Sequence, residues 1–404
     1  MAQSVGLYLH IPFCRHLCHY CDFAKTANFS ASLEQQYWQW LVGSISQWLA
    51  AQNHWFPDGL QFKSVFLGGG TPSLYAKEWQ QVFEKIAPYI LDDAEVTIEA
   101  NPDDMTAEKL QIWRDLGINR LSIGIQSFQE SGLRFLTRWH RPQEACHAIE
   151  QAAKYMKNIN IDLIYAWPGQ SEKDWLADLS QAVQSSVCHL SLYNLSYESG
   201  TPIGRRVIRG VLDPMEEAKQ AGFYQVACDF LATHGFEHQE VSNWAKPGFS
   251  CQHNWIYWND QPYLAFGLGA SGYLHHKDWP WGLRYQYPKR LPSLLHKQNE
   301  TDQTDLPSFL QSLGASCEIS RDGESWMLET IGCGLRSRLG IDVKHIEERL
   351  SRQFEPRPLI QEAMHRGWLR WNNHGRLTLS PKEWFRETSW SLELALSFEP
   401  QIVT

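Results

Sequence analysis

Residues 8–23 read YLHIPFCRHLCHYCDF and place three cysteines, Cys14, Cys18 and Cys21, within a span of eight residues. They follow an apolar, strand-like run over residues 5–13. A loop this short can present three thiolates to one face of a cubane iron–sulfur cluster, whose irons are ligated by thiolates. Because three ligands serve four irons, one iron stays open for a small molecule. The spacing therefore predicts a [4Fe–4S] cluster with three protein ligands.

A structural zinc site is the alternative interpretation of the same loop. Closed zinc sites have four nitrogen or sulfur ligands, and the fourth would come from His10, His16 or His19. The loop alone does not separate a cluster from zinc. The sequence after the loop distinguishes the two, because it predicts a particular fold.

Composition and charge indicate a globular protein without an electrostatic surface for nucleic acid. The chain has 404 residues, a net charge of −9 and a hydrophobic fraction of 43%, and its length suits two or three domains. No run approaches the ~18 apolar residues that a transmembrane helix needs. We therefore expect a soluble cytoplasmic protein with no nucleic-acid partner and no transmembrane segment. The six cysteines outside the loop are scattered and are interpreted as small buried side chains.

Up to about residue 200 the sequence alternates strand-like and helix-like segments, a pattern typical of a parallel α/β sheet. The predicted strands are 6–12, 64–67, 95–99, 120–125, 159–165 and 190–195. The amphipathic segments between them are 33–52, 78–89, 107–116, 143–156 and 172–184. Thr106 and Ser171 are expected to cap helix starts and Gly117 to follow a helix end. The pattern predicts six βα units, as a partial barrel or as a doubly wound open sheet.

Polar residues cluster where these predicted strands end. In strand order they are the cysteine loop, Gly68-Gly69-Gly70-Thr71-Pro72, Glu99 with Asn101, Gln126, Asp162, and Asn194 with Ser196. Singly, each has a structural explanation, such as a tight turn for the glycines or a salt bridge for a carboxylate. A barrel of βα units places its chemistry at the carboxyl ends of the strands. Their recurrence on every strand favours one shared site, and with it a cluster over zinc.

The Cys-x3-Cys-x2-Cys loop with Tyr20, followed by a GGGTP element, resembles the radical S-adenosylmethionine (SAM) superfamily. The resemblance implies an α/β fold, a partial (β/α)6 barrel related to the TIM barrel, whose open iron chelates the amino and carboxylate groups of SAM. It also implies that the residues contacting SAM are Tyr8, Tyr20, Gly69, Gly70, Thr71, Glu99, Gln126, Arg138 and Asp162. Physically, Glu99 and Asp162 suit ribose hydroxyls or an ammonium group, and Arg138 suits a carboxylate.

Longer motifs resemble one branch of that superfamily, which holds oxygen-independent coproporphyrinogen III oxidases and HemW-type haem chaperones. They are YLHIPFC, LGGGTPS, IEANP, RLSIGIQSF, NIDLIY-x-x-PGQ and LSLYNL. The oxidases carry a fourth cysteine two residues after the third, and here that position is Phe23. Residues 253–258 read HNWIYW and match the HNxxYW signature of the chaperones. Both features favour the chaperones.

The HNxxYW segment is the predicted haem-binding element. A neutral imidazole is a common ligand of haem iron, so His253 is the expected ligand, and the aromatic rings of the segment offer flat apolar surface. Two alternatives remain open at this point. His253 is a hydrogen-bonded core residue, or Cys251 is the ligand instead.

The sequence is divided into a radical SAM core barrel at 1–215, an extension with the HNxxYW segment at 216–300, and a C-terminal domain at 301–404. In the last, residues 329–339 are predicted to be helical with an interruption at Gly332-Cys333-Gly334. Residues 359–367, 368–370 and 377–379 predict a helix and a small β-wing, which resembles the smaller α+β, winged-helix-like C-terminal domain of this family. Because the chain is acidic, we interpret that domain as a lid or a partner surface.

Two functions follow from the resemblance. The first is a haem chaperone that binds a [4Fe–4S] cluster, SAM and haem and delivers haem to acceptor proteins such as respiratory cytochromes. The second is an enzyme, a coproporphyrinogen III oxidase that decarboxylates propionates by radical chemistry. Phe23 and the HNxxYW match favour the first. The sequence leaves open whether SAM is cleaved and whether the protein is a homodimer.

Overall fold

The structure, a computed structural model, describes residues 2–295, 305–318 and 321–400. The strands are β1 (Gln3–Ile11), β2 (Leu60–Gly69), β3 (Ile90–Ala100), β4 (Arg120–Gln126), β5 (Asn158–Tyr165), β6 (His189–Asn194), β7 (Glu237–Glu240), β8 (Asn243–Ala245), β9 (Tyr263–Gly267), β10 (Ser271–His276), β11 (Trp279–Gln286), β12 (Ser316–Glu318), β13 (Arg352–Phe354), β14 (Leu369–Trp371), β15 (Leu377–Leu379) and β16 (Phe398–Pro400).

The α-helices alternate with the first six strands and dominate the C-terminal part. They are α1 (Ala31–Ala51), α2 (Glu78–Ile86), α3 (Ala107–Asp115), α4 (Glu130–Phe135), α5 (Pro142–Ala153), α6 (Glu172–Gln184), α7 (Pro202–Ile208), α8 (Glu217–Thr233), α9 (Gln252–Trp258), α10 (Leu291–Leu295), α11 (Leu306–Ser312), α12 (Gly323–Leu335), α13 (Val343–Leu350), α14 (Pro358–His365) and α15 (Glu387–Ala395).

The main sheet confirms the predicted α/β class. Strands β1 to β6 are parallel and adjacent in sequence order. Since crossovers between parallel strands are right-handed, an order that never reverses puts the connecting helices on one face of the sheet. A doubly wound sheet reverses its order at a switch point, and this sheet does not. The six units therefore form the partial barrel, and the doubly wound alternative is wrong.

Local signals explain the helix boundaries. The Thr106 side chain accepts a hydrogen bond from Lys109 N and the Ser171 side chain accepts one from Asp174 N, as expected of helix caps. Gly117 follows α3 with φ +86°. The apolar face of β1 (Val5, Leu7, Leu9) is fully buried in a core that includes Trp48 of α1.

The chain after residue 216 extends the same sheet at both edges. Strands β8 and β7 continue it beyond β6, and β9 pairs in parallel with β1, followed by β10, β11 and β12. Residues 306–315 also pack into the large core with the barrel helices. The proposed boundary at 300/301 falls outside the described residues. A second hydrophobic core gathers residues between Trp326 and Phe398.

The C-terminal part contains the predicted wing. Strands β14 and β15 are antiparallel and follow α14, and Gly375 in the connecting turn has φ +70°. The predicted interruption at Gly332-Cys333-Gly334 is wrong, because α12 runs unbroken through these residues. Gly334 is needed for close packing, since a Cβ there would lie 2.4 Å from Ile341 Cγ2. Among the described residues, none of the helices is long and apolar enough to cross a membrane.

Candidate functional site

A cavity of about 520 Å³ opens on the concave face of the sheet, at the carboxyl ends of β1 to β6. The residues expected from the sequence that line it are Cys14, Cys18, Tyr20, Cys21, Gly69, Gly70, Thr71, Glu99, Gln126, Arg138 and Asp162. Segments far apart in the sequence converge here because parallel strands end at the same edge of the sheet.

The cysteine loop forms one wall of this cavity and is fixed by backbone hydrogen bonds. Cys14 N donates to Thr26 O at 3.0 Å, and Thr26 N donates to Pro12 O at 2.7 Å, which closes the loop at its base. Ile203 N donates to His19 O at 3.2 Å, and His19 N donates to Thr137 Oγ1 at 3.0 Å. The loop is thus held on two sides, with its three thiols facing one cavity.

Glycines are required at the end of β2 because the cysteine loop passes very close to the backbone there. A Cβ on Gly70 would lie 2.8 Å from Cys14 Sγ and 2.9 Å from Phe13 O. Gly69 has φ +115°, and a Cβ there would lie 2.8 Å from the His10 ring. Only glycine fits at these positions without displacing the loop. The turn therefore leaves backbone exposed to the cavity directly beside a cysteine.

Two half-buried carboxylates, Glu99 and Asp162, line the cavity. Glu99 accepts a hydrogen bond from Gly69 N at 2.9 Å. Burial, reinforced by the Asp162 charge, raises the pKa of Glu99 to about 8. Asp162 accepts hydrogen bonds from Asn160 Nδ2 at 2.8 Å and from Ser122 Oγ at 3.3 Å, and burial raises its pKa above the usual range. Because the charge of one carboxylate raises the pKa of the other, the pair favours a cationic ligand.

Arg138 supplies a half-buried cation to the same cavity. One terminal nitrogen donates to Asn101 Oδ1 at 2.6 Å and to Gly124 O at 2.7 Å. The other lies 3.5 Å from Cys18 Sγ. The Arg138 Nε–H is buried and has no hydrogen-bond partner within the described part of the chain. A buried donor without a partner is costly, so the site suits a ligand that brings an acceptor.

Gln126 has an unusual backbone conformation. It ends β4 with φ +70°, in the left-handed region, which costs a residue with a Cβ roughly 1–3 kcal/mol. Such strain concentrates at ligand sites, and Gln126 lines this cavity.

Several cavity residues were not predicted as ligand contacts, among them Lys25, Asn101, Ser122 and Tyr193. Ser122 could have been found, because it alternates with Gly124 and Gln126 along β4 and so shares their face. Asn101 was noted as a strand end, but its bond to Arg138 depends on tertiary structure. Lys25 donates to Cys21 O at 2.5 Å, a contact made only when the loop folds back.

Two of the three histidines that could supply a fourth zinc ligand, His10 and His16, make other contacts. His10 Nε2 lies 2.7 Å from Ala24 O, and its Nδ1 lies 3.0 Å from Tyr8 Oη. Burial lowers the pKa of His10 to about 4. His16 stacks on Trp139 with ring centroids 4.5 Å apart. In the described ranges, no three His, Cys, Asp or Glu side chains are grouped to hold a single metal ion.

Tyr8 and His253, two other expected site residues, lie outside this cavity. Tyr8 lines a neighbouring cavity on the same concave face. His253 is only 1% exposed. Its Nδ1 lies 2.7 Å from Ser64 Oγ and its Nε2 lies 2.8 Å from Tyr257 Oη. Because both ring nitrogens are used, His253 is a core histidine in this structure and not an exposed ligand.

Helix α9, which carries the HNxxYW segment, is bound tightly to the barrel. In its first turn, the backbone N–H groups of Gln252 and His253 donate hydrogen bonds to the Glu95 carboxylate, at 3.0 and 3.1 Å. The Glu95 carboxylate also lies 3.4 Å from Cys251 Sγ and 3.9 Å from Arg120 Nε. Cys251, the alternative haem ligand, is therefore buried as well, and burial raises its pKa to about 12.

Comparison with known proteins assigns this arrangement to a family. Residues 8–182 match the model of the radical SAM superfamily. The chain is 32% identical to the haem chaperone HemW of Lactococcus lactis over 357 residues, 86% of each chain. It is 36% identical to HemW of Synechocystis over 280 residues, 68% of this chain and 67% of that protein. It is 37% identical to HemW of Escherichia coli over 272 residues, 66% of this chain and 70% of that protein.

A solved structure shares the fold. The coproporphyrinogen III oxidase HemN of Escherichia coli superposes with a TM-score of 0.77 over 98% of this chain and 90% of that chain, at 19% identity. That likeness concerns the fold alone. The sequence relation to the Lactococcus lactis haem chaperone extends over 86% of both chains, and this chain belongs to the HemW family of haem chaperones within the radical SAM superfamily.

Proposed function

We propose that this protein is a haem chaperone that binds a [4Fe–4S] cluster, SAM and haem and delivers haem to acceptor proteins. The observation that carries the proposal is the sequence relation over most of both chains to proteins named as haem chaperones. Phe23 supports it, since the thiol expected of the oxidases is absent at that position. Respiratory cytochromes are the acceptor class we propose, and the cytoplasm is the compartment.

The cavity residues fit the cluster and SAM. Cys14, Cys18 and Cys21 face one space, and the glycine turn leaves room beside Cys14 that a Cβ would fill. The unpartnered Nε–H of Arg138 suits a carboxylate. When bound, the cluster supplies one-electron chemistry and an open iron. The protein's own part is to hold the loop, keep the cavity closed on one side and orient the ligand.

The two carboxylates give a direct test of SAM binding. Glu99→Gln and Asp162→Asn keep side-chain shape but remove a charge, so each should weaken SAM binding by about 1.5–3 kcal/mol. Cluster absorbance should stay at the wild-type level, because neither side chain ligates iron. Equilibrium dialysis with labelled SAM measures the change, with the exposed Glu150→Gln as a control. Unchanged dissociation constants in both variants would remove these residues from the site.

SAM binding should also depend on pH. The pKa of Glu99 is raised to about 8 by burial, so at pH 7 the carboxyl is mostly protonated in the absence of ligand. SAM carries a sulfonium cation, which favours the ionised carboxylate, and binding therefore releases a proton. Affinity should rise from pH 6.5 to 8.5, by at most about tenfold per unit, and Glu99→Gln should flatten the profile. An affinity that falls over this range would contradict the assignment.

The alternative function is oxidative decarboxylation of coproporphyrinogen III, which the shared fold with HemN makes worth testing. The reconstituted protein is incubated anaerobically with coproporphyrinogen III, SAM and a reductant, and protoporphyrinogen is measured. We expect no product above the protein-free control. Formation at a catalytic rate would overturn the chaperone proposal.

We also propose the division into a core barrel at 1–215, an extension at 216–300 and a C-terminal domain at 301–404. The separate hydrophobic core between Trp326 and Phe398 supports a C-terminal unit. The strands that residues 237–286 add to both edges of the sheet suggest that the extension folds together with the barrel.

A further inference from the structure

A layer of polar side chains lies inside the barrel, one step deeper than Asp162. This polar layer consists of Ser122 on β4, Asn160 on β5, Ser191 on β6 and Asn243 on β8, each at most 5% exposed. In the strand register Ser122 lies opposite Asn160, and Ser191 lies opposite Asn243. Barrel interiors are usually filled by branched apolar side chains, so packing alone does not account for the polar layer.

Asn160 holds the Asp162 side chain in place. The two residues are two positions apart on β5 and therefore share one face of the strand. Asn160 Nδ2 donates to Asp162 Oδ1 at 2.8 Å, and it lies 2.7 Å from Ser122 Oγ and 2.9 Å from Ser191 Oγ. Its Oδ1 lies 2.7 Å from His189 Nδ1. Because partners on three strands bond the amide, the network rigidifies this part of the barrel.

The same hydrogen bonds favour the ionised form of Asp162. Burial raises the pKa of Asp162, and the hydrogen bond from Asn160 is the strongest of the effects that lower it. Ser191 and Ser122 also lower it through their hydroxyl groups. A carboxylate that is ionised and fixed in direction before the ligand arrives suits the sulfonium and ammonium groups of SAM.

The polar layer also reaches the helix that carries the HNxxYW segment. Ser191 Oγ donates to Asn243 Oδ1 at 2.7 Å, and Asn243 Nδ2 donates to Glu240 Oε1. Glu240 is 2% exposed. Burial raises its pKa to about 7, and the hydrogen bonds that lower it include one from the Asn254 side chain of α9. A chain of hydrogen bonds therefore runs from Asn254 to the Asp162 carboxylate.

We propose that Asn160 is a positioning residue of the SAM site, which holds the Asp162 carboxylate in its ligand-binding orientation. Asn254 acts on the same carboxylate through the chain that begins at Glu240. The inference rests on the proposed function, because it takes Asp162 as a SAM contact. Contiguous hydrogen-bond networks can carry such coupling. The HNxxYW segment then contributes to the SAM site, although none of residues 253–258 lines that cavity.

The test is a double-mutant cycle on SAM affinity, measured by equilibrium dialysis with the full-length, cluster-reconstituted protein. Asn160→Ala should raise the dissociation constant by about tenfold. In a protein that already carries Asp162→Asn, the same change should alter it by less than about twofold, because the carboxylate it positions is gone. Asn254→Ala should follow the same pattern with a smaller effect, about threefold. A purely structural role would give the same factor in both backgrounds.

The reciprocal swap, Asn160→Asp with Asp162→Asn, separates stability from SAM binding. It restores a hydrogen-bonded pair of amide and carboxylate, so its urea midpoint should exceed that of Asn160→Asp alone. Its SAM affinity should stay as low as that of Asp162→Asn. The swap also completes a second cycle with a variant of unchanged shape, which decides the question if Asn160→Ala does not fold.

Matched controls are two amides outside the polar layer. Buried Gln52 accepts a hydrogen bond from Leu60 N at 3.2 Å, and half-buried Asn259 donates to Trp255 O at 2.9 Å. Gln52→Ala and Asn259→Ala should both keep wild-type SAM affinity.

Equal factors in the two backgrounds, or wild-type affinity in Asn160→Ala, would overturn the role of Asn160. Wild-type affinity in Asn254→Ala would remove the HNxxYW segment from the chain. Failure of the wild-type protein to bind SAM, or wild-type affinity in Asp162→Asn, would instead refute the proposed SAM site, and this inference with it.

Discussion

Replacing any one of Cys14, Cys18 and Cys21 by alanine is expected to abolish the visible absorbance of the anaerobically reconstituted [4Fe–4S] cluster. A cluster held by only three protein thiolates has no spare ligand. The three thiols face one cavity, while Cys188 and Cys251 lie buried elsewhere in the fold. Iron and sulfide analysis after desalting measures the loss.

The controls for this prediction are Cys228→Ala and Cys251→Ala, which should keep one cluster per chain. The triple variant lacking all three loop thiols should still bind haem, because none of residues 253–258, the HNxxYW segment, lines the cavity of the cysteine loop. Loss of the cluster in Cys228→Ala or Cys251→Ala, with retention in a loop variant, would show that the ligand set is wrong.

Glu95→Ala is expected to lower the free energy of unfolding by about 3–5 kcal/mol, because it leaves a buried charge without its partner. Glu95 is 6% exposed and Arg120 is 2% exposed. The same carboxylate accepts the backbone N–H groups of Gln252 and His253 at the start of α9. Its removal therefore weakens both the barrel interior and the attachment of the HNxxYW helix. Urea denaturation monitored by circular dichroism gives the change.

The exposed Glu84→Ala on α2 is the matched control and should stay within about 0.5 kcal/mol of wild type. Glu95→Leu combined with Arg120→Met should recover much of the loss, since an apolar pair can replace a buried ion pair. If the urea midpoint of Glu95→Ala equals that of the wild type, the Glu95 carboxylate does not hold α9 to the barrel.

Much of the barrel could be predicted from the sequence because its signals are local. Aliphatic runs of strand length, the capping residues Thr106 and Ser171, and Gly117 after α3 each act within a few residues. The site at the strand ends was also predictable, since parallel strands in sequence order must end at one edge. Gln126, Arg138 and Asp162 could thus be placed together without coordinates, once the family resemblance had been noticed.

The role of the HNxxYW segment could not be predicted in the same way. Its aromatic and polar residues suit an exposed ligand site and a core helix equally well. The difference lies in long-range contacts, from His253 to Ser64 and from the start of α9 to Glu95, which no periodicity reveals. The continuity of α12 was also unpredictable from local sequence. Gly334 is present because Ile341 packs closely against it, and it does not break the helix.

The central claim, that this protein carries haem at a site separate from its cluster, is tested most directly by one titration. Ferric haem is added to the cluster-reconstituted wild-type protein, and the Soret and iron–sulfur absorbances are followed together. The account predicts saturable haem binding with the cluster absorbance unchanged. Absence of saturable binding, or loss of the cluster in proportion to the haem bound, would contradict it.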